Sequence, residues 1–182
     1  MSTTPAAHLS IWLLPAVAQA AVLDACIAAL SPRFLTPPFT AHVTLQGDLA
    51  LDESQGRALA QALAQALARE QPALTLARQA LASSPHFFRS LYLELAPDAA
   101  FDALQAACAG LSGTRHGLSP FPHLSLAYGE PREAVPRTTL AAPHHPVLNA
   151  LGPLRLDRLA LVHSSKDVPI ADWRLLEILP LR

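Results

Sequence analysis

The chain has 182 residues, 51% hydrophobic and 15% charged, and its 13 basic and 14 acidic residues leave a formal net charge of −1. That composition supplies a sizeable core and excludes disorder for the bulk of the chain. With no long basic run it offers no electrostatic footprint for long nucleic acid, whereas a small phosphorylated ligand needs only a few well-placed donors.

Leu9 to Leu14 is a short apolar run that reads as a buried strand. Pro15 ends it and suits the first turn of the helix that follows. Leu23, Ile27 and Leu30 then recur at helical spacing until Ser31-Pro32 stops the helix. Taken whole, Leu9–Leu30 is strongly apolar, and Ala18-Gln19-Ala20 resembles a signal-peptidase site. No Lys or Arg precedes it, and Pro15, Gln19 and Asp24 interrupt it, so a cytoplasmic protein without a membrane span is expected.

Thr36-Pro37-Pro38-Phe39 is a loop, and His42 to Leu45 is a strand core closed by Gly47. Asp52 and Gln55 form a capping box for a helix with Leu59, Leu63 and Leu67 on one face and its exit at Pro72. Leu74 to Leu81 reads as extended. Leu91, Leu93 and Leu95 alternate with Tyr92 and Glu94 in a half-buried strand. Pro97-Asp98 opens a helix with Phe101, Leu104, Cys108 and Leu111 on its apolar side. His123 to Tyr128 is the next strand, Pro131 to Pro146 reads as irregular, and Leu154–Val162 and Trp173–Leu179 are the last two strands. Cys26 and Cys108 read as buried free thiols. The order predicts one α+β domain over residues 1–182, built of mainly antiparallel sheets with helices outside.

Two segments share one pattern: His42-Val43-Thr44-Leu45 and His123-Leu124-Ser125-Leu126. Side chains alternate along a strand, so each segment presents an imidazole and a hydroxyl to one face, about 6.6 Å apart, and two aliphatic residues to the other. The tetrapeptide alone is weak evidence, since His8-Leu9-Ser10-Ile11 and His163-Ser164-Ser165-Lys166 also carry it. Context separates the pair. Phe39 leads into the first and Gly47-Asp48 follows; Phe121 leads into the second and Gly129-Glu130 follows. Each copy follows a strand–helix unit, a faint internal duplication that would bring two equivalent strands together about a pseudo-two-fold axis.

Such a pair suits hydrolysis of a strained cyclic phosphodiester. Water attacks phosphorus in line with a departing alkoxide, so a base and an acid are needed on opposite sides, and histidine holds either state near neutrality. Thr44 and Ser125 hydroxyls can donate to the non-bridging oxygens. No carboxylate cluster for magnesium is evident, and no metal or other cofactor is expected.

These paired motifs resemble those of the 2H phosphoesterase superfamily, and within it the cyclic phosphodiesterase group. Ser10-Ile11-Trp12-Leu13-Leu14-Pro15 is similar to that group's first strand, and Phe121-Pro122-His123-Leu124-Ser125-Leu126-Ala127-Tyr128-Gly129 is the nearest match. The resemblance implies a bilobal fold with two antiparallel sheets lining a groove. It implies hydrolysis of ADP-ribose 1″,2″-cyclic phosphate and nucleoside 2′,3′-cyclic phosphates. His42, Thr44, His123 and Ser125 match catalytic and phosphate-binding positions, and Tyr128 matches an active-site aromatic. The 2′-5′ RNA ligase branch usually shows a basic residue shortly after its second motif; Ala127-Tyr128 stands here instead. The expected partner is thus a small cyclic nucleotide bound by a monomer. The alternatives are a non-catalytic nucleotide-binding module and an RNA end-processing or ligating enzyme of the same superfamily.

Other residues carry less. Phe39 and Phe121 read as packing residues, and His144-His145 as a solvated pair without metal partners. His86 and His116 could border the groove, His163 reads as surface, and loop-like Arg33, Arg89 and Arg115 could bind a second phosphate.

Overall fold

In the computed structural model, which describes residues 7–70 and 73–181, the first apolar run forms strand β1 (Ala7–Pro15). Both of its faces are covered. Leu9, Ile11 and Leu13 enter the main core, while Trp12 and Leu14 join Ala160 and Val162 in a smaller cluster. Pro15 is the last residue of this strand and not the first of the helix: it pairs with Leu156, at a strand end where a missing N–H costs little. Helix α1 (Val17–Leu30) starts after Ala16 and buries Leu23, Ile27 and Leu30 at the spacing expected. Ala18-Gln19-Ala20 lies within α1, with Gln19 donating to the Leu151 and Pro153 carbonyls.

Strand β2 (Val43–Leu51) does not stop at Gly47. Leu9 faces Leu49 and Ile11 faces Gln46, so Ser10 alone opposes Gly47 and Asp48. That extra residue is a β-bulge, with Asp48 at φ 52°, and the strand continues past it. Asp52 and Gln55 exchange the two hydrogen bonds of a capping box at 2.8 and 3.0 Å, and α2 (Glu53–Glu70) follows. Leu59 and Leu63 are buried; Pro72 and the side chain of Leu67 lie outside the described residues.

The extended stretch after residue 73 is two strands, β3 (Leu74–Leu76) and β4 (Arg78–Ser83). Then come β5 (Leu91–Leu95), α3 (Ala99–Ser112) and β6 (His123–Ala127). Asp98 caps α3 by accepting from the Ala100 and Phe101 N–H groups. Phe101, Leu104 and Cys108 are buried, but Leu111, in the last turn, lies beyond the buried stripe and is 52% exposed. The Pro-rich stretch is irregular only over residues 131–136; α4 (Arg137–Leu140), a short turn of helix at Ala142–His144 and α5 (His145–Ala150) follow. Three of its prolines start helical turns, Pro136 as the cap of α4, Pro143 in the short turn and Pro146 in the first turn of α5, where a missing N–H is harmless. Strands β7 (Leu154–His163) and β8 (Arg174–Pro180) complete the chain.

The sheet order is β3-β7-β1-β2-β6-β5-β4, with β8 also on β7, and every recorded pairing is antiparallel. The two sheets expected are therefore halves of one sheet, joined where Val43 pairs with Leu124. The ends of this order, β3 and β4, are separated in sequence by Ala77 alone, so the sheet curls back on itself. Helices α1, α2 and α3 all bury side chains in the main core, which fixes the face they cover. Cys26 and Cys108 are free and buried there; burial pushes the Cys108 thiol up to about 12 and that of Cys26 upward too.

Near the junction two backbones touch. Gly47 donates its N–H to the Gly117 carbonyl at 2.7 Å, and a Cβ on Gly117 would stand 1.8 Å from the Gly47 oxygen. Gly117 is also at φ +74°, where L side chains are strained. Gly117→Ala is expected to lose at least about 2 kcal/mol of stability, measured by urea denaturation; a loss within about 0.5 kcal/mol would show that the brace is dispensable.

Candidate active site

The junction sets the geometry. Val43 and Leu124 are fully buried and face each other across antiparallel β2 and β6. One step to either side, the alternation turns to the opposite face. His42 then lies across from Ser125, and Thr44 across from His123. The two histidines are diagonal neighbours, an arrangement whose spacing is about 7–8 Å between backbones. Past the junction, Gln46 pairs with Leu118, and its buried side chain donates to the Thr114 and His116 carbonyls. Gln105 donates to both the Leu45 and Ser119 carbonyls. These bonds moor the loop entering β6 to β2.

Both imidazoles are held in the same way. His42 Nδ1 lies 2.6 Å from the Thr40 carbonyl, and His123 Nδ1 lies 3.0 Å from the Phe121 carbonyl. A carbonyl only accepts, so Nδ1 carries the proton in each ring, and Nε2 is left as the reactive nitrogen. In both cases the carbonyl belongs to the residue two positions earlier. His42 is also stacked on Trp12, with ring centroids 3.6 Å apart and planes within 6°. Trp12 and Thr44 are register partners, so this stack is a direct product of β1–β2 pairing. Tyr92 and Phe121 hold His123 edgewise and tilted, at 5.6 and 5.1 Å.

Burial disfavours the charged form of both rings. His42 is pushed down to about 4, chiefly by desolvation, against the opposing pull of the Thr40 carbonyl and with a further push from His123. His123 is also held below its ordinary value, by desolvation first, with the Phe121 carbonyl opposing and the Arg89 charge adding to the fall.

His42, Thr44, His123, Ser125 and Tyr128 all line a single cavity of about 460 Å³. Thr44 is half-buried at its wall. Ser125 is buried, and its hydroxyl donates to the Phe88 carbonyl at 3.1 Å, so its proton is committed. Tyr128 is not a rim residue: it is 3% exposed and stacks on Phe39 at 4.0 Å. Burial raises its hydroxyl above the usual range, eased by Ser125. Among the described residues no group of three or more His, Cys, Asp or Glu side chains could hold a metal ion, and no helix is long and apolar enough to cross a membrane.

A profile of the 2′-5′ RNA ligase superfamily matches residues 14–168. The chain belongs to the 2′-5′ RNA ligase superfamily, the 2H phosphoesterases. Its fold is that of E. coli LigT, whose apo structure aligns at TM-score 0.60 and 16% identity over 97% of this chain and 98% of that one. LigT complexed with 3′-AMP aligns at TM-score 0.57 and 21% identity over 98% and 99%. Usb1 of Kluyveromyces marxianus aligns at TM-score 0.54 and 16% identity over 97% and 98%. No curated protein matches the sequence.

The two other segments that carry the tetrapeptide, at His8 and His163, also reach the site. Ser10 on β1 and Ser164, Ser165 and Lys166 after β7 line the cavity across from β6. Ser10 Oγ donates to the Ser164 carbonyl at 3.0 Å, tying the two segments together. His8 and His163 themselves do not line it; His8 is exposed and His163 half-buried. Trp12, Trp173 and Phe88 are further wall residues that lie outside the two histidine motifs. The signal for Trp12 was its place in the first strand, and for Lys166 that it is the only lysine in the chain. Among the other candidates, His86 and Arg89 reach the wall, whereas His116 and Arg115 do not. Arg33 is committed to Glu133 and the Leu140 carbonyl.

Folding buries His42 in its neutral form, so between pH 6.5 and about 4 the unfolded chain binds more protons than the folded one. Stability is therefore expected to fall as pH drops through that window, by about 3 kcal/mol from His42 alone. Urea midpoints recorded from pH 7 to 4.5 should decline less steeply for His42→Gln than for the wild type; equal slopes would contradict the assignment.

Proposed function

We propose that the protein hydrolyses small cyclic phosphates, ADP-ribose 1″,2″-cyclic phosphate or nucleoside 2′,3′-cyclic phosphates, to phosphomonoesters without a metal. The observation that carries this reading is the matched pair of imidazoles on one cavity, each with Nδ1–H bound to a backbone carbonyl and Nε2 left for chemistry. A binding module has no need of two rings prepared alike. The phosphorus lies between them. One Nε2 removes a proton from water as the new P–O bond forms. The other, protonated, gives its proton to the departing ribose oxygen as the ring P–O bond breaks. The proton balance is thereby shifted from one imidazole to the other, and exchange with solvent restores it.

His42, deeper and held lower, suits the neutral base, and His123 the acid. Thr44 donates to a non-bridging oxygen. Ser125 joins it by exchanging the Phe88 carbonyl for phosphate. Tyr128, its proton retained by burial, backs the ligand from the core side. The reading is of a cytoplasmic monomer in which residues 1–182 form one two-lobed domain.

Turnover of nucleoside 2′,3′-cyclic phosphates should persist in EDTA, and His42→Ala or His123→Ala should each lower kcat by at least about 10²-fold. Folded protein that opens no cyclic phosphate would sink the reading; release or joining of RNA ends instead would favour the RNA-processing alternative.

Both rings titrate below 6.5 in the free protein, so kcat/KM is expected to peak on the acid side of that value. The pH profile of kcat/KM measures this, and a maximum above pH 7.5 would contradict it.

A further inference from the structure

Arg89 occupies a position that no ion pair accounts for. It leaves the single turn Phe87–Arg89 between β4 and β5 and reaches the cavity wall beside β6. That turn is fixed at two points, by Ser125 Oγ donating to the Phe88 carbonyl and by the Gly129 N–H donating to the Phe87 carbonyl at 2.9 Å. The Arg89 backbone N–H and carbonyl are used locally, by the His86 carbonyl and the Ser84 hydroxyl. Its side chain is different. The guanidinium carbon lies 4.9 Å from the centre of the Phe121 ring, and Phe121 itself leans on His123.

Arg33, Arg57, Arg137 and Arg158 each have a carboxylate partner. Arg89 has none among the described residues, and its Nε is buried with no hydrogen-bond partner. Contact with Phe121 explains where the flat face of the guanidinium rests. It leaves the N–H edge unused, because those donors lie in the guanidinium plane. A buried donor on a cation at the cavity wall lacks an acceptor. Its charge is also what disfavours protonation of His123 after burial, which puts it close to the reacting position.

We propose that Arg89 is a catalytic residue, presenting its N–H edge to the non-bridging oxygens of the phosphoryl group held between the two imidazoles. This deepens the two-histidine reading and rests on it. Phe121 acts as the platform that orients the guanidinium. Lys166, the other cation of the wall, is exposed and comes from the opposite half, so it serves a more distant part of the ligand.

Binding of inorganic phosphate to the full chain tests this by titration calorimetry, with folding checked by circular dichroism. Arg89→Met should weaken binding at least about tenfold, Arg89→Lys should recover part of it, and Arg115→Met, at an exposed site off the wall, should bind as the wild type does. Should Arg89→Met fail to fold, peptide-mapped phenylglyoxal labelling of the wild type decides: phosphate should protect Arg89. Equal affinity of wild type and Arg89→Met, or labelling of Arg89 indifferent to phosphate, would overturn the proposal alone. Wild-type protein that binds no phosphate would overturn the two-histidine reading with it.

Discussion

One backbone pairing carries the arrangement. Val43 and Leu124 join the two halves of the sheet, and both point their side chains into the core with no exposed surface. Because the strands are antiparallel, fixing that pair fixes what stands one step away on the other face: a histidine facing a hydroxyl, twice. A slip of one residue would turn both imidazoles into the core and both aliphatic residues into the cavity, so the hydrophobic core enforces the register of the polar site. The order β1-β2-β6-β5 reads alike from either side of the junction, with a strand–helix–strand unit on each.

What the halves do not share is the wall behind each ring. His42 has Trp12 against its face and lies 5% exposed, while His123 is half-buried among Tyr92, Phe121 and Arg89. Two rings prepared alike by backbone carbonyls are thus set in unequal surroundings. On the reading proposed, that inequality separates base from acid, since burial without a nearby anion favours the neutral imidazole.

Much of this was legible in the sequence wherever one element decides its own structure. The Asp52/Gln55 box and the Leu23-Ile27-Leu30 spacing each depend on neighbours in the chain and appear as read; the Leu91–Leu95 alternation gives its strand, though Tyr92 is buried along with the leucines and the strand is not half-buried. The His-x-Thr and His-x-Ser segments were visible because the same short pattern, with similar flanks, occurs twice in the chain. The misreadings come from features whose meaning is tertiary. Gly47 looked like a strand end, but a bulge against Ser10 carries β2 onward. The prolines between 131 and 146 looked like breakers, but three of them sit at helix starts. Leu74–Leu81 looked continuous, but its halves belong to opposite edges of the sheet. The Ser10 and Ser164 segments were dismissed for lack of flanking context, yet pairing of β1 with β7 carries them to the cavity. Arg89 was one loop arginine among several until its place on the cavity wall, its seat on Phe121 and its buried, unpartnered Nε set it apart.

The most direct examination of the central claim is a crystal structure of the protein with orthovanadate and a nucleoside bound as a pentavalent mimic. The account predicts one vanadium atom with the Nε2 atoms of His42 and His123 on opposite sides, each hydrogen-bonded to an apical oxygen. A vanadate touching one ring alone, or seated away from the β2–β6 junction, would contradict it.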